Sequence, residues 1–403
     1  MSEAKELTAI RNQALTAFKA AGLPQRWGHA WRYTSPEIFI PSEAVAAKGA
    51  RRALPSSPVE GVRLVRFAEA EGDDARIIRE HLGTAVGFGD GKLEALDLAS
   101  WQDGVLIRIA PRATPEVPIH VTTEPGSGSF GSVRLLVVAE EGSMITLIDD
   151  YQAGNIGSAS SASPTPLAGE TGEISTLQGG QLHSTVEIIA GASACVRYIA
   201  IQELAANTVF HLKQRARAAE DSSVLTSLLS FGGSTARADI GTILEGRNAS
   251  SKAFGVIVGN GKQHFDHHTV HLHRAPGTRS DSDFRAVLAG EARSIYTGSI
   301  VIEKEAPGCE AYQLNRNLML SDTARADSIP ELEIKNDDVR CSHGSATGPV
   351  EPIQVYYLMA RGLPEAEAVR LVALGFAEQL FARVPPPIAE RARARLAKHM
   401  EQI

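Results

Sequence analysis

The chain has 403 residues, 43% of them hydrophobic and 22% charged, with 40 Lys and Arg against 47 Asp and Glu. That apolar fraction excludes a disordered chain, and a formal charge of −7 argues against nucleic acid as a partner. No stretch approaches the roughly 18 apolar residues of a membrane span, and Cys195, Cys309 and Cys341 lie too far apart for a disulfide framework or a CxxC metal pair. The N-terminus, MSEAKELTAIRNQALTAF, lacks the apolar core of a secretory signal. A soluble cytoplasmic protein with reduced thiols is expected.

Leu7, Ile10, Ala14, Leu15 and Phe18 follow the 3.6-residue period, and Gly22 with Pro24 stops it, which predicts a first helix. The aromatic stretch QRWGHAWRYTSPEIF comes next. Short helices are predicted near Asp74–Leu82 and Lys92–Leu98, then strands at IRIAP and IHVTT. Residues 1–130 read as a mixed, partly helical region.

From 131 to 348 short β-favouring runs alternate with turns on Gly, Asp or Asn, near Gly142, Gly191, Asp221, Gly246, Gly290 and Asn336. No helical pattern separates them, which excludes a doubly wound α/β sheet and leaves a sandwich, a barrel or a solenoid. A run of strands this long, with turns at solenoid-like intervals, favours a mainly β chain built on a parallel β-helix. Residues 152–172, rich in Gly, Ser, Ala and Pro, read as a mobile loop between rungs. From 349 to 403 helices return. EAEAVRLVALGFAEQLFARV follows Pro364 with a stripe of Val369, Val372, Phe376, Leu380 and Phe381; prolines 385–387 end it, and the basic IAERARARLAKHM closes the chain.

The chemistry-bearing motifs are few. GSGSFG (126–131) matches GxGxxG but precedes a strand, and GFGDGKL (87–93) lacks the Ser or Thr that a P-loop needs after Lys92, so no nucleotide site is expected. HFDHHTVHLH (264–273) is the densest histidine region. On a strand His267, Thr269, His271 and His273 share one face, and His264, Asp266 and His268 the other. Such imidazoles invite a metal, and a β-helix lyase or hydrolase using the 264–273 cluster is one reading; hydrogen-bonded residues on a solenoid wall are another. In VRCSHGSATG, Cys341 and His343 stand on one strand face about 6.7 Å apart. Thiolate and imidazole are ligand types of iron–sulfur chemistry, but two ligands close no site, and a buried cysteine beside a capping histidine remains the alternative.

SIPELEIKNDDVRCSHGSATG followed by VYYLMARGLPEAEAVRLVALGF strongly resembles the C-terminal signature of the SufB/SufD family of iron–sulfur cluster assembly scaffolds. The resemblance extends upstream through Gln313-Leu-Asn-Arg-Asn-Leu-Met-Leu-Ser321, Phe284-Arg-Ala-Val-Leu288-x-Gly290 and His264-x-Asp266-x6-His273-x-Ala275-Pro276, with Trp31-Arg-Tyr-Thr34 as a short N-terminal motif. Cys-Ser-His-Gly is similar to the SufD branch. The chain departs from the common Leu-Phe-Tyr-Leu-x-Ser-Arg-Gly-Ile at Val355–Leu363, mostly conservatively.

The resemblance implies a right-handed parallel β-helix flanked by small N- and C-terminal helical regions, in a complex with a SufB-like subunit and two copies of a SufC-like ATPase. It implies a non-catalytic scaffold with His343 at a nascent, transient iron–sulfur cluster shared with the SufB-like subunit and Cys341 as neighbour, and a role in iron acquisition. His264, Asp266 and His273 form a second polar motif. The ATPase is expected on 353–384, around Tyr357, Arg361, Gly362 and Phe376. Exposed strand edges also leave room for a homodimer in isolation.

Overall fold

The computed structural model describes residues 3–25, 29–41, 50–124, 130–152 and 180–401. Residues 153–172 of the Gly/Ser-rich stretch and 126–129 of GSGSFG lie outside these. The predicted N-terminal helices are present as α1 (Glu3–Ala20), α2 (Gly72–His81) and α3 (Lys92–Ser100).

The β body opens with β1 (Arg51–Ala53), β2 (Val62–Arg66), β3 (Asp103–Ile109) and β4 (Ile119–Glu124). It continues through β5 (Phe130–Ala139), β6 (Met144–Gln152), β7 (Gln181–Ala190), β8 (Cys195–Glu203), β9 (Val209–Ala218) and β10 (Ser223–Ser230). Then follow β11 (Thr235–Leu244), β12 (Ser250–Gly259), β13 (His264–His273), β14 (Arg279–Leu288), β15 (Arg293–Ile302) and β16 (Cys309–Met319). β17 (Arg325–Ile334) and β18 (Val339–Pro349) complete it. Sheet I runs β1-β4-β6-β8-β10-β12-β14-β16-β18, and sheet II runs β2-β3-β5-β7-β9-β11-β13-β15-β17. Apart from β1 and β2, which pair antiparallel at the N-terminal end, neighbours are parallel and in register. Successive strands alternate between the sheets, so two strands make one coil of a parallel β-solenoid of about seven turns.

The turn chemistry explains why the coils stack. Gly142, Ser193, Asp221, Asn248, Gly277 and Gly308 all have positive φ and recur once per coil along one edge. Each donates its N–H to a carbonyl of the following coil, at Ala192, Glu220, Arg247, Pro276, Pro307 and Asp338, over 2.7–3.1 Å. Gly, Asn and Asp tolerate this left-handed backbone best, which is why those residues mark the turns. At Gly246 space decides instead: a Cβ there would lie 1.9 Å from the backbone nitrogen of Glu220 on the coil below.

The period-2 alternation sends one set of side chains inward. Val133, Leu135, Val186, Leu212, Ile240, Phe265 and Phe284 belong to the core between the sheets. Outward-facing apolar residues bury helices. Leu106, Leu136 and Val138 of sheet II pack with Phe67, Ile78 and Trp101 of the N-terminal region. Ile199, Leu229, Phe254 and Val256 of sheet I pack under α5 (Glu365–Phe381) and α6 (Pro386–Met400). A further helix, α4 (Pro352–Met359), starts on its proline and ends before Gly362 (φ 94°). Its sequence PIQVYYLM has no polar face, so periodicity did not reveal it, and it buries no residue. No helix of the described residues is long and apolar enough to cross a membrane.

Candidate functional site

At the C-terminal end the last coil has no successor. Among the described residues β17 and β18 each pair on one side only, through β15 and β16. Their inward side chains are therefore left half covered. Leu332 and Ile334 are 36% and 41% exposed although they occupy core positions of the coil.

Cys341 and His343 belong to this open end. They are in register with the buried Ala311 and Gln313 on β16, so both occupy inward positions. Cys341 packs at the edge of a cluster of Ile300, Ile302, Ala306, Cys309 and Ala311, while His343 is exposed. Burial, with Cys309 nearby, pushes the Cys341 thiol up, so the free group holds its proton at neutral pH. Coordination of a metal would have to displace that proton.

α4 stands next to this end. Ile353, Tyr356, Tyr357 and Met359 are exposed on it, an apolar patch of the kind that marks contact sites. The Arg361 guanidinium lies 4.1 Å from the centre of the Tyr357 ring, and Gly362 supplies the left-handed exit. Between α4, α5 and the end of β18 runs a groove of about 840 Å³ lined by Thr347, Pro349, Ile353, Tyr357 and Phe376. Arg285 holds the Phe376 end of α5, donating to the Phe376 carbonyl at 2.7 Å and to Gln379.

The histidine motif divides between the two faces of β13. His264 and Asp266 point outward and bind the N-terminal aromatic motif. His264 Nε2 lies 2.8 Å from Thr34 Oγ1. Asp266 accepts from Arg237 at 2.6 Å, and Arg237 also donates to the Ala30 carbonyl and stacks 3.7 Å from the Trp31 ring. Burial would raise the Asp266 carboxyl, but His268 and Arg237 hold it well below the usual range. His273 points inward and uses both ring nitrogens, on Thr278 and Ser280 at 2.8 and 2.9 Å. The structure thus separates His264 and Asp266 from His273. Lys92 of GFGDGKL donates to the carbonyls of Phe18 and Ala21, capping α1.

The interior histidines carry a pH signature. Burial holds His267 and His271 down to about 3 and His273 down to about 4, so all three are neutral in the fold. In the unfolded chain they take up protons below about 6.5. Stability is therefore full above that pH and falls as pH drops from 6.5 toward 4, by up to ~1.4 kcal/mol per pH unit for each histidine. Melting curves at stepped pH are expected to show this loss, with a shallower slope in His271→Gln. A melting temperature flat from pH 6.5 to 4.5 would contradict it.

One arrangement was invisible in the sequence. Asp97 on α3, His183 on β7 and His211 on β9 come together on the outer face of sheet II. The only signal was a histidine at the third position of two strands one coil apart, readable once the coil repeat is known.

Fold and site together define a stacked parallel β-solenoid whose terminal coil is open and carries a thiol and an imidazole. Residues 120–376 match the family model of the SUF system FeS cluster assembly SufBD core domain. The chain is 30% identical to the iron–sulfur cluster assembly protein SufD of Bacillus subtilis over 298 residues, 73% of this chain and 63% of that one. It is 28% identical over 325 residues to an iron–sulfur cluster assembly SufBD family protein of Mycobacterium tuberculosis, covering 78% and 76% of the two. A Staphylococcus epidermidis protein of the same family is 24% identical over 331 residues, 82% of this chain and 67% of its own. The chain belongs to the SufBD family of the SUF iron–sulfur cluster assembly system.

Proposed function

We propose that this chain is a SufD-type scaffold subunit, without catalysis of its own, that supports assembly of a nascent iron–sulfur cluster in company with a SufB-like subunit and a SufC-like ATPase. The observation that carries the reading is the open last coil. Two free strand edges and two half-exposed core residues, Leu332 and Ile334, form an incomplete surface of the kind that proteins otherwise cover. A SufB-like solenoid meeting these edges would continue both sheets. Cys341 and His343 would then lie at the junction. Two ligands from this side and the rest from the partner suit a site that must both hold a cluster and release it, unlike a closed four-cysteine cage. The SufC-like ATPase is assigned to α4 and its exit turn, at Tyr357, Arg361 and Gly362, with Phe376 beside them. Iron acquisition is the part of the assembly that falls to this subunit.

The double variant Leu332→Lys/Ile334→Lys tests the reading. Co-expressed with a tagged SufB-like subunit, the wild-type chain is expected to co-purify with it and the variant to be lost, with its own melting temperature unchanged. Undiminished co-purification of the variant would remove the open end as the interface. If the wild-type chain alone is a dimer that the variant breaks, a second copy uses the same edges.

A further inference from the structure

A buried cluster on the outer face of sheet II lies apart from the open end and is not used by the proposed function. Residues in register on neighbouring strands sit about 4.8 Å apart, and His183 on β7 is in register with His211 on β9. Both are fully buried under α3, whose Asp97 reaches between them. Asp97 Oδ1 is 2.6 Å from His183 Nδ1, and its Oδ2 is 3.7 Å from His211 Nδ1. On the far side, His211 Nε2 faces Asp239 at 3.7 Å. Ligand atoms of Asp97, His183 and His211 all lie within 4.8 Å of one another, the one such group among the described residues.

Packing alone leaves this cluster unsatisfied. Neither ring nitrogen of His211, nor Nε2 of His183, has a hydrogen-bond partner, although both side chains are fully buried. Each such nitrogen has given up its hydration without gaining a hydrogen bond in return. Of the neighbouring cations, Lys213 holds Glu94 at 2.8 Å, and Arg237 holds Asp266 at 2.6 Å and donates to Asp239 at 3.3 Å, so both are spent on carboxylates other than Asp97. Among the described residues, Asp97 has only the two imidazoles as ion-pair partners. A cleft of about 480 Å³, lined by Glu94, Lys213, Arg237, Asp239 and His268, leads from the surface to Asp239 beside His211.

The geometry points to a binding site for a divalent first-row transition ion, ferrous iron or zinc, held by Asp97, His183 and His211. Imidazole with a carboxylate is a ligand set for those two ions, whereas magnesium and calcium prefer all-oxygen shells. Donors about 2.1 Å from one ion lie about 3.0–4.2 Å apart, so the Asp97–His183 contact at 2.6 Å has to open and the widest separation, within 4.8 Å, to close, each by less than about 1 Å. Asp239, 3.7 Å from His211 Nε2, stands where a carboxylate would accept the second ring N–H of a metal-bound histidine after a small shift of the ring. Binding replaces the proton shared by His183 and Asp97, which is released to solvent.

The test uses the full chain, stripped with chelator under anaerobic conditions and titrated with cobalt(II) as the spectroscopic probe. One cobalt per chain is expected, with d–d absorption and no thiolate charge-transfer band, displaced by zinc(II), and by iron(II) only in large excess. His211→Asn and Asp97→Asn are expected to lose at least 100-fold in affinity, and Asp239→Asn about 10–100-fold. No stoichiometric cobalt on the wild-type chain would overturn the proposal. Binding that survives His211→Asn, or a charge-transfer band from a cysteine, would overturn it too. Should His211→Asn fail to fold by its melting curve, His183→Gln and the wild-type spectrum decide the matter.

Discussion

Arg52→Met is expected to destabilise the chain by about 3–5 kcal/mol, the usual cost of removing one partner from a buried ion pair. Arg52 is fully buried at the N-terminal end of the solenoid core, where it donates to Asp149 at 2.6 Å and to Ser184 at 2.8 Å. Burial would lower the guanidinium, yet Asp149 outweighs it and holds Arg52 above its ordinary value. Without Arg52, the Asp149 carboxylate stays in the core with only hydroxyl donors, from Tyr151 at 2.7 Å and Tyr198 at 2.9 Å. A domain's whole stability is about 5–15 kcal/mol, so the loss is severe. Each coil touches only its neighbours, so amide exchange in β4 and β6 is expected to rise before that in β14 and β16. Adding Asp149→Leu removes the stranded charge, and Tyr151 keeps Ser184 at 2.8 Å. That double variant is expected to recover more than half of the loss in denaturant midpoint. A single-variant cost below about 1 kcal/mol, or a double variant as unstable as the sum of both singles, would contradict this account of the core.

The solenoid was legible because its signals are local. Strand runs, left-handed turn residues and the absence of crossover helices all sit within a few residues of one another, and Gly142 and Asp221 mark coil corners as read. Gly290 also has positive φ, but it stacks on Gly261 and stands outside the column of Gly142, Asp221 and Asn248. The two turn series mixed in one reading made the spacing look irregular. The alternation on β13 was readable too, since strand periodicity alone assigns His267, His271 and His273 to one face. Which face was inward was not, and that decides whether those histidines could meet a carboxylate. His183, His211 and Asp97 stayed hidden because the coil repeat and the packing of α3 bring them together. α4 stayed hidden because a helix without a polar face carries no period.

His343→Ala is expected to leave the complex intact and lower its cluster content several-fold. The side chain is exposed at the open end, beyond the core that stabilises the coil, so its removal costs little stability. Its register opposite Gln313 places it on the same inward row as Cys341, so the one thiol and the one imidazole of β18 share a row. If a cluster forms across a junction with a SufB-like subunit, losing one imidazole removes a ligand from this side only. The most direct measurement is therefore anaerobic iron and sulfide analysis of the co-purified complex, wild type beside His343→Ala. The account predicts equal subunit stoichiometry and a several-fold fall in iron and sulfide per complex in the variant. Equal stoichiometry with unchanged iron and sulfide would contradict it, and would reduce this chain to an adaptor that supports its partners without touching the cluster.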